Sequence, residues 1–183
     1  MAAIFDRTLP RNGGHDADLI GAAVLSETNR ARCREGLAPL DGNAALQQAA
    51  GLHSRDMARA NFFSHDSPVR GRETLAARVT QVGYRFQRVA ENIIESRYMA
   101  YRNGAPFQII DAVRCEFAYA DGERIKPHSY ATLAREVVTR WMASTGHREN
   151  ILTPELRAHG FALAPNSDPS LCGGIFATQV MAR

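Results

Sequence analysis

Apolar residues recur every three or four positions along four stretches of the chain, which is the spacing of one face of a helix. Residues that favour helix N-caps, mainly Asp, Asn and Ser, precede these stretches, and glycines end three of them. The pattern therefore predicts four helices. They cover approximately residues 16–36, 41–57, 71–83 and 129–143.

Two further apolar segments have the length and composition of strands, and the first covers residues 160–164. Residues 89–94 form an apolar run interrupted by Glu91 and Asn92, in which Glu91 is either partly buried with a partner or on a bend that faces solvent. Residues 174–181 are apolar on both faces, which predicts a central strand. Because the last two strands are joined by a short connection, they should be antiparallel. We therefore expect an α/β (α+β) fold, a three-layer α-β-α sandwich with a mostly antiparallel central sheet.

The same patterns divide the chain into segments. Residues 1–15 are expected to form a flexible N-terminal tail, and residues 16–183 a single domain. An insert at about 96–128 contains two hairpin signals, Asn103-Gly104 and Asp121-Gly122. The first predicts that residues 98–101 pair with residues 107–110.

Composition excludes several classes of protein. The formal net charge is only +3, and the 21 arginines and one lysine are scattered among acidic residues, which argues against a nucleic-acid partner. No apolar run reaches membrane-spanning length, so no transmembrane segment is expected. The N-terminus lacks the apolar stretch of a signal peptide, so either the protein is cytoplasmic or a signal has been removed.

Three cysteines allow one disulfide and one free thiol, or no disulfide. Cys115 and Cys172 lie outside the predicted helices and form the first pair to test. Cys33 lies on the first helix and is expected to be a small buried residue.

The chemistry centres on residues 141–152. A helix is expected to end at Ser144-Thr145-Gly146, because glycine accepts the left-handed conformation past a helix end. His147 would follow in the turn, on a rigid scaffold but able to face a cleft. His65 lies in a loop after two phenylalanines, whereas His53 belongs to an apolar helical stripe and is expected to be packed in the core. A buried Glu91 would need a donor, a metal or a proton.

Several motifs in order resemble those of the CAP superfamily, also called SCP-like, in its short bacterial branch. This family includes cysteine-rich secretory proteins, antigen 5 and pathogenesis-related proteins. The resemblance covers about residues 18–181 without the insert. It rests on Asn29-Arg30-Ala31-Arg32, Gly36-Leu37-Ala38-Pro39-Leu40, Ala49-Ala50, Met57-Ala58, Phe63-Ser64-His65-Asp66, Gly83-Tyr84, Ala90-Glu91-Asn92-Ile93, the segment from Trp141 to Leu152, Gly160-Phe161 and Thr178-Gln179-Val180.

The resemblance implies an α-β-α sandwich whose cleft is lined by two histidines and two glutamates and holds a divalent metal in some members. The matching residues are His65, Glu91 and His147, with the two histidines as metal ligands. Ser144 occupies the position of the second glutamate, and the neighbouring Glu149 is not assigned to its role. Two neutral imidazoles suit zinc or a similar ion but leave it weakly held, so the site is expected to be empty or filled opportunistically. Alternatively, the three side chains form a polar network that ties loops together.

Three functions remain open at this stage. The first is a secreted or periplasmic binding module whose cleft takes a small or lipid-like ligand, such as a cell-envelope component. The second is a metal-dependent hydrolase with Glu91 as general base. Ser64 and Ser144 also suggest a serine nucleophile, but spacing alone shows no Asp-His-Ser arrangement. The third is a protein-interaction module that uses the insert, whose aromatic residues are explained equally well by packing.

Overall fold

The computed structural model describes residues 3–11, 14–102, 104–166 and 170–183. Within these ranges, the helices are α1 (Ala17–Arg34), α2 (Ala44–Ala60), α3 (Leu75–Gln81), α4 (Tyr130–Ala143) and α5 (Thr145–Ile151). The strands are β1 (Asp41–Gly42), β2 (Val89–Arg97), β3 (Phe107–Asp111), β4 (Glu116–Tyr119), β5 (Arg124–Ile125), β6 (Ala158–Pro165) and β7 (Gly174–Ala182).

The main sheet has the strand order β1-β6-β7-β2. The short β1 is parallel to β6, and the other two pairings are antiparallel. The sheet is therefore mixed, and the prediction of a mostly antiparallel sheet is confirmed. Every residue of β7 is buried, as expected of a central strand.

Helices cover both faces of this sheet. One core cluster joins α1 and α4 to side chains such as Phe161, Leu163 and Met181. A second cluster joins α2 and α3 to Ala158, Val180 and Ala182. Since alternate residues of a strand point to opposite faces, these two sets lie on opposite sides of the sheet. The predicted three-layer α-β-α sandwich is confirmed.

Helix α2 lies unusually close to β6 at Gly160. A Cβ atom at this position would lie 2.1 Å from the backbone nitrogen of Gln47. Glycine therefore sets how closely the first turn of α2 can approach the sheet. On α2 itself, His53 is fully buried, which confirms the prediction of a packed core histidine.

The N-terminal segment makes contacts with the rest of the fold. Residues 3–6 form a 3-10 turn, and Leu9 is buried and donates its backbone N–H to the carbonyl of His128. These contacts differ from those expected of a free tail over residues 1–15, of which residues 1, 2, 12 and 13 lie outside the described ranges. His128 is itself buried at 3% exposure.

The insert forms a separate three-stranded sheet in the order β3-β4-β5. The turn at Asp121-Gly122 joins β4 to β5, as predicted. The predicted pairing of residues 98–101 with residues 107–110 is wrong, because β3 pairs with β4 instead. Asn103 lies outside the described residues. The backbone groups of residues 98–100 are already bonded to Gly173, His128 and Lys126, so they are not available to β3.

The cysteine predictions have different outcomes. Cys115 and Cys172 form a disulfide that links the insert to the segment before β7. Cys33, predicted to be buried, is exposed on α1. Its side chain lies away from the buried face of α1, which is formed by residues such as Val24 and Ala31.

Removing the disulfide by the double substitution Cys115→Ser and Cys172→Ser should lower the free energy of unfolding by about 4 kcal/mol. The bond closes a loop with a sequence separation of 57 residues, which restricts the unfolded chain. Urea unfolding of the two proteins measures the difference, and Cys33→Ser serves as the control. Equal midpoints for the double variant and the control would contradict the prediction.

The burial of His159 should make the stability of the fold sensitive to acid. This histidine lies on β6, and burial lowers its pKa to about 3. Below about pH 6.5, His159 is therefore protonated in the unfolded chain but stays neutral in the folded chain. Its contribution to the free energy of unfolding should be fully present above pH 6.5 and be lost as the pH falls toward 3, with a total loss of the order of 5 kcal/mol. Unfolding curves between pH 7 and 4 test this, and His159→Leu should flatten the decline.

Candidate functional site

A cavity of about 1410 Å³ lies between β2, α4, the start of the insert and the loop that follows α2. His65 and His147 both line it. Its walls mix apolar side chains such as Phe63 and Met99 with charged ones such as Arg135. The cavity is therefore large enough for a ligand of the size of a typical drug molecule.

The loop that carries His65 is fixed from below. Phe62 packs against a small apolar cluster, and Phe63 stacks on Phe176 with ring centroids 5.9 Å apart. Nε2 of His53 is 2.9 Å from the carbonyl of Ser64, and Arg78 donates to the carbonyl of His65 at 3.1 Å. The His65 side chain remains 54% exposed above these anchors.

His147 lies in the first turns of α5 rather than in a turn, so the prediction for the helix end is corrected. Helix α4 ends at Ala143, because Ser144 adopts an extended conformation with φ −98° and ψ 126°. A new helix starts at once with Thr145, and Gly146 is helical. The predicted break in the helix is present, but the extended backbone of Ser144 causes it, and Gly146 does not.

A chain of side-chain amides, of which Asn92 and Gln179 are buried, holds α5 against the sheet. Asn150 donates to the Oδ1 of Asn92 at 2.9 Å, and Asn92 donates to the carbonyl of His147 at 3.2 Å. Asn92 also donates to Gln179 at 3.0 Å, and Gln179 donates to Thr28 of α1 at 3.0 Å. These bonds fix the position of His147 relative to β2.

Glu91 is buried beneath His65 rather than open to the cavity. Its carboxylate accepts hydrogen bonds from Arg78 at 2.8 and 3.0 Å, and it lies 2.8 Å from Nδ1 of His65. Burial alone would raise the pKa of Glu91, but His65, His53 and Arg78 together bring it below the usual value. The carboxylate is therefore held as an anion with both of its oxygens hydrogen-bonded.

Arg78 is the main site residue that the sequence reasoning missed. It is fully buried on α3 and donates to Glu91, to the carbonyl of His65 and to the carbonyl of Arg72. Its signal was an arginine within the apolar stripe of Leu75, Val79 and Val82, where an unpaired charge would be costly. An arginine at such a position calls for a buried acidic partner.

The two histidines have opposite electrostatic environments. The hydrogen bond to Glu91 is the main reason that the pKa of His65 is raised. Desolvation, followed by the nearby charge of His65, lowers the pKa of His147. The cavity thus presents one imidazole that favours its protonated form and one that favours its neutral form.

A divalent metal fits this donor set only weakly. Among the residues that the structure describes, no group of three His, Cys, Asp or Glu side chains is placed to hold an ion. Glu91 is occupied by Arg78, so two imidazoles would be the protein ligands, with water completing the shell. The exposed Glu149 does not line the cavity.

A serine nucleophile has no support in the described residues either. Neither Ser64 nor Ser144 is hydrogen-bonded through its hydroxyl to a histidine there. The hydroxyl of Ser64 instead accepts the backbone N–H of Asp66, which is a local turn.

Comparisons with known proteins agree with this architecture. The family model described as CAP, the cysteine-rich secretory protein family, matches residues 25–181. The uncharacterized protein YkwD of Bacillus subtilis strain 168 is 29% identical over 131 residues, covering 72% of this chain and 37% of its own.

Two solved structures share the fold. An extracellular protein containing an SCP domain from Bacillus anthracis is 24% identical with a TM-score of 0.63, covering 97% of this chain and 44% of its own. An outer surface protein of Borrelia burgdorferi is 14% identical with a TM-score of 0.60, covering 92% of this chain and 96% of its own. The chain thus spans less than half the length of YkwD and of the Bacillus anthracis protein.

Within the described ranges, no helix has the length and apolar character needed to cross a membrane. The family match extends from the middle of α1 to the end of β7 and includes His65, Glu91 and His147. This chain belongs to the CAP family, the cysteine-rich secretory protein family.

Proposed function

We propose that this chain is a CAP-domain binding module that works outside the cytoplasm and holds a ligand in the cavity of His65 and His147 without converting it. The ligand is a small or lipid-like molecule, such as a cell-envelope component. The cavity volume of about 1410 Å³ and its mixed apolar and polar walls support this proposal.

The observation that carries the proposal is the state of Glu91. A general base must lie within reach of the proton it removes and have a pKa near the working pH. Glu91 is buried behind His65, is bonded to Arg78, and has a lowered pKa. These features favour a structural role for the carboxylate over the role of base in a hydrolase.

Two observations support a secreted or periplasmic location. The Cys115–Cys172 disulfide is typical of proteins in oxidising compartments. The Bacillus anthracis relative is described as extracellular, and the Borrelia burgdorferi relative as an outer surface protein.

Incubation with ester, peptide and lipid libraries, followed by mass spectrometry, tests binding against catalysis. We expect bound compounds to be recovered unchanged, with and without added zinc. Glu91→Gln is the control, and its folding is checked by its unfolding curve. Turnover by the wild type that this variant abolishes would establish the hydrolase instead.

A divalent ion such as zinc would be held by His65 and His147 and would polarise an oxygen of the ligand. Metal titration of the wild type against His65→Ala and His147→Ala tests this role. We expect weak binding that either substitution removes, and equal affinity in all three proteins would end the metal hypothesis.

A second candidate function is protein interaction through the insert. Ile109, Ile110 and Val113 of the β3–β4 hairpin are exposed, with Val113 at 93%. The aromatic residues, in contrast, pack inside the insert, where Tyr101, Phe107 and Phe117 contact one another. Pull-down with the chain lacking residues 97–127 tests this function, and an unchanged partner set would exclude it.

A further inference from the structure

The wall of the cavity includes five consecutive residues of β2, from Ile93 to Arg97. This happens because β2 is an edge strand of the main sheet, so one side of its backbone has no neighbouring strand. Backbone groups on that side point away from β7. Their hydrogen-bonding state therefore decides what the cavity wall offers to a ligand.

The strand register identifies which residues point outward. Gly174 bonds to Asn166 on the β6 side, so Ile175, Ala177 and Gln179 are the residues of β7 that face β2. Their partners in the register are Ser96, Ile94 and Asn92. The alternate residues of β2, namely Glu91, Ile93 and Glu95, therefore direct their N–H and C=O groups to the open edge.

Side chains already occupy the outward carbonyls. The carbonyl of Glu91 accepts from Asn150 at 3.1 Å, and that of Ile93 accepts from the indole of Trp141 at 3.2 Å. The carbonyl of Glu95 accepts from Arg140 at 3.0 Å. The acceptors of this edge are thus supplied with donors from α4 and α5.

The outward N–H groups of Ile93 and Glu95, unlike the carbonyls of the same residues, lack hydrogen-bond partners within the part of the chain that the structure describes. Residues two apart on a strand are separated by about 7 Å. This stretch of cavity wall therefore offers two unpaired donors about 7 Å apart and carbonyls that are already bonded.

A positive charge without an ion-pair partner lies on the facing helix. Arg135 is exposed on α4, lines the cavity and has no hydrogen bond or ion pair with any described residue. Two of the three acidic side chains that line the cavity are already engaged, whereas the exposed Asp66 has no side-chain hydrogen bond or ion pair with any described residue. Glu136 bonds to Ser96 at 2.7 Å and lies 2.9 Å from Nε2 of His128, and Glu95 accepts from Asn166 at 3.1 Å.

Building on the proposed function, we propose that the cavity selects an anionic ligand whose strand-facing groups only accept hydrogen bonds. Its oxygens would bind the N–H groups of Ile93 and Glu95, and its charge would pair with Arg135. A phosphodiester or a carboxylated sugar has this chemistry.

The same edge disfavours an extended peptide. Strand addition requires the open edge to accept hydrogen bonds from the peptide as well as to donate them. The carbonyls of Ile93 and Glu95 already accept from Trp141 and Arg140, so a peptide N–H would have to compete with these donors or share the carbonyl with them. We therefore expect strand addition to be weaker here than binding of an anion that only accepts.

Proline substitution tests the backbone donor directly. Glu95→Pro removes one outward N–H, and proline is tolerated at an edge position whose N–H makes no ladder bond. Glu95→Ala is the matched control, because it removes the same carboxylate and keeps the N–H. Arg135→Gln tests the charge at an exposed position.

Calorimetric titration uses three probes: an oligomer of three glycerol phosphate units, trigalacturonate, and tetraglutamate. We expect at least one of the first two to bind about tenfold tighter than tetraglutamate, with Glu95→Pro about tenfold weaker than Glu95→Ala. Arg135→Gln should weaken the same probe. Which of the two probes binds identifies the source of the anion.

Binding of neither the glycerol phosphate oligomer nor trigalacturonate, equal binding to the proline and alanine variants, or preference for tetraglutamate would overturn the inference. Intact ligands of another chemistry bound in the cavity would leave the proposed function standing, so the two failures are distinguishable. Unfolding curves confirm that Glu95→Pro is folded. If it is not, loss of probe binding in Arg135→Gln decides the question.

Discussion

Replacing Arg78 with methionine should lower the free energy of unfolding by about 4 kcal/mol. The substitution leaves the carboxylate of Glu91 buried without its guanidinium partner, at a site where the arginine is fully buried and the bond is 2.8 Å long. It also frees the carbonyl of His65, so the His65 loop should loosen. Urea unfolding at pH 7 measures the first effect, and hydrogen exchange of residues 61–67 measures the second.

The double variant Arg78→Met with Glu91→Leu is the control for this prediction. A buried ion pair replaced by apolar residues of similar size is often neutral in stability, whereas removal of one partner is not. We therefore expect the double variant to regain most of the lost stability. A double variant as unstable as Arg78→Met alone would contradict the explanation.

Replacing Trp141 with alanine should cost about 4 kcal/mol. The indole is almost fully buried, packs edge-on against Phe161 with ring centroids 6.4 Å apart, and donates to the carbonyl of Ile93. The substitution opens a cavity in the main core and leaves that carbonyl without its donor. Chemical denaturation measures the loss.

Trp141→Phe separates these two effects. It retains most of the apolar volume but removes the indole N–H, so the loss should fall to about 1–2 kcal/mol. Equal losses in the alanine and phenylalanine variants would mean that the hydrogen bond, not packing, dominates.

The layer architecture could be predicted because apolar periodicity decides it. The stripe of α4 through Leu133, Val137 and Trp141 is buried as its spacing requires. The segment of β7 is apolar on both faces, which predicted a central strand, and β7 lies between β6 and β2. Both His65 and His147 line one cavity. The motif resemblance predicted this shared location, whereas apolar periodicity gives no indication of it.

Other features depend on contacts between distant segments. The partner of Glu91 is Arg78 of α3, and the sequence around either residue does not identify the other as its partner. The segment at 98–100 did not pair with β3, because bonds to Gly173, His128 and Lys126 use its backbone. Gly146 matched the signal of a helix end, yet the extended backbone of Ser144 makes the break and the chain is helical again at once.

The cavity wall also includes an open sheet edge, which no pattern in the sequence predicts. Only the strand order places β2 at the end of the sheet and against α4. The carbonyls of Ile93 and Glu95, two residues that line the cavity, are then bonded to side chains of α4, while their N–H groups have no partner among the described residues.

Native mass spectrometry of the protein isolated from its own source tests the central claim most directly. The account predicts an adduct of intact organic ligand on the wild type and a strongly reduced adduct on the variant carrying both His65→Ala and His147→Ala. No adduct on the wild type, or one retained equally by the folded double variant, would contradict a binding function for this cavity.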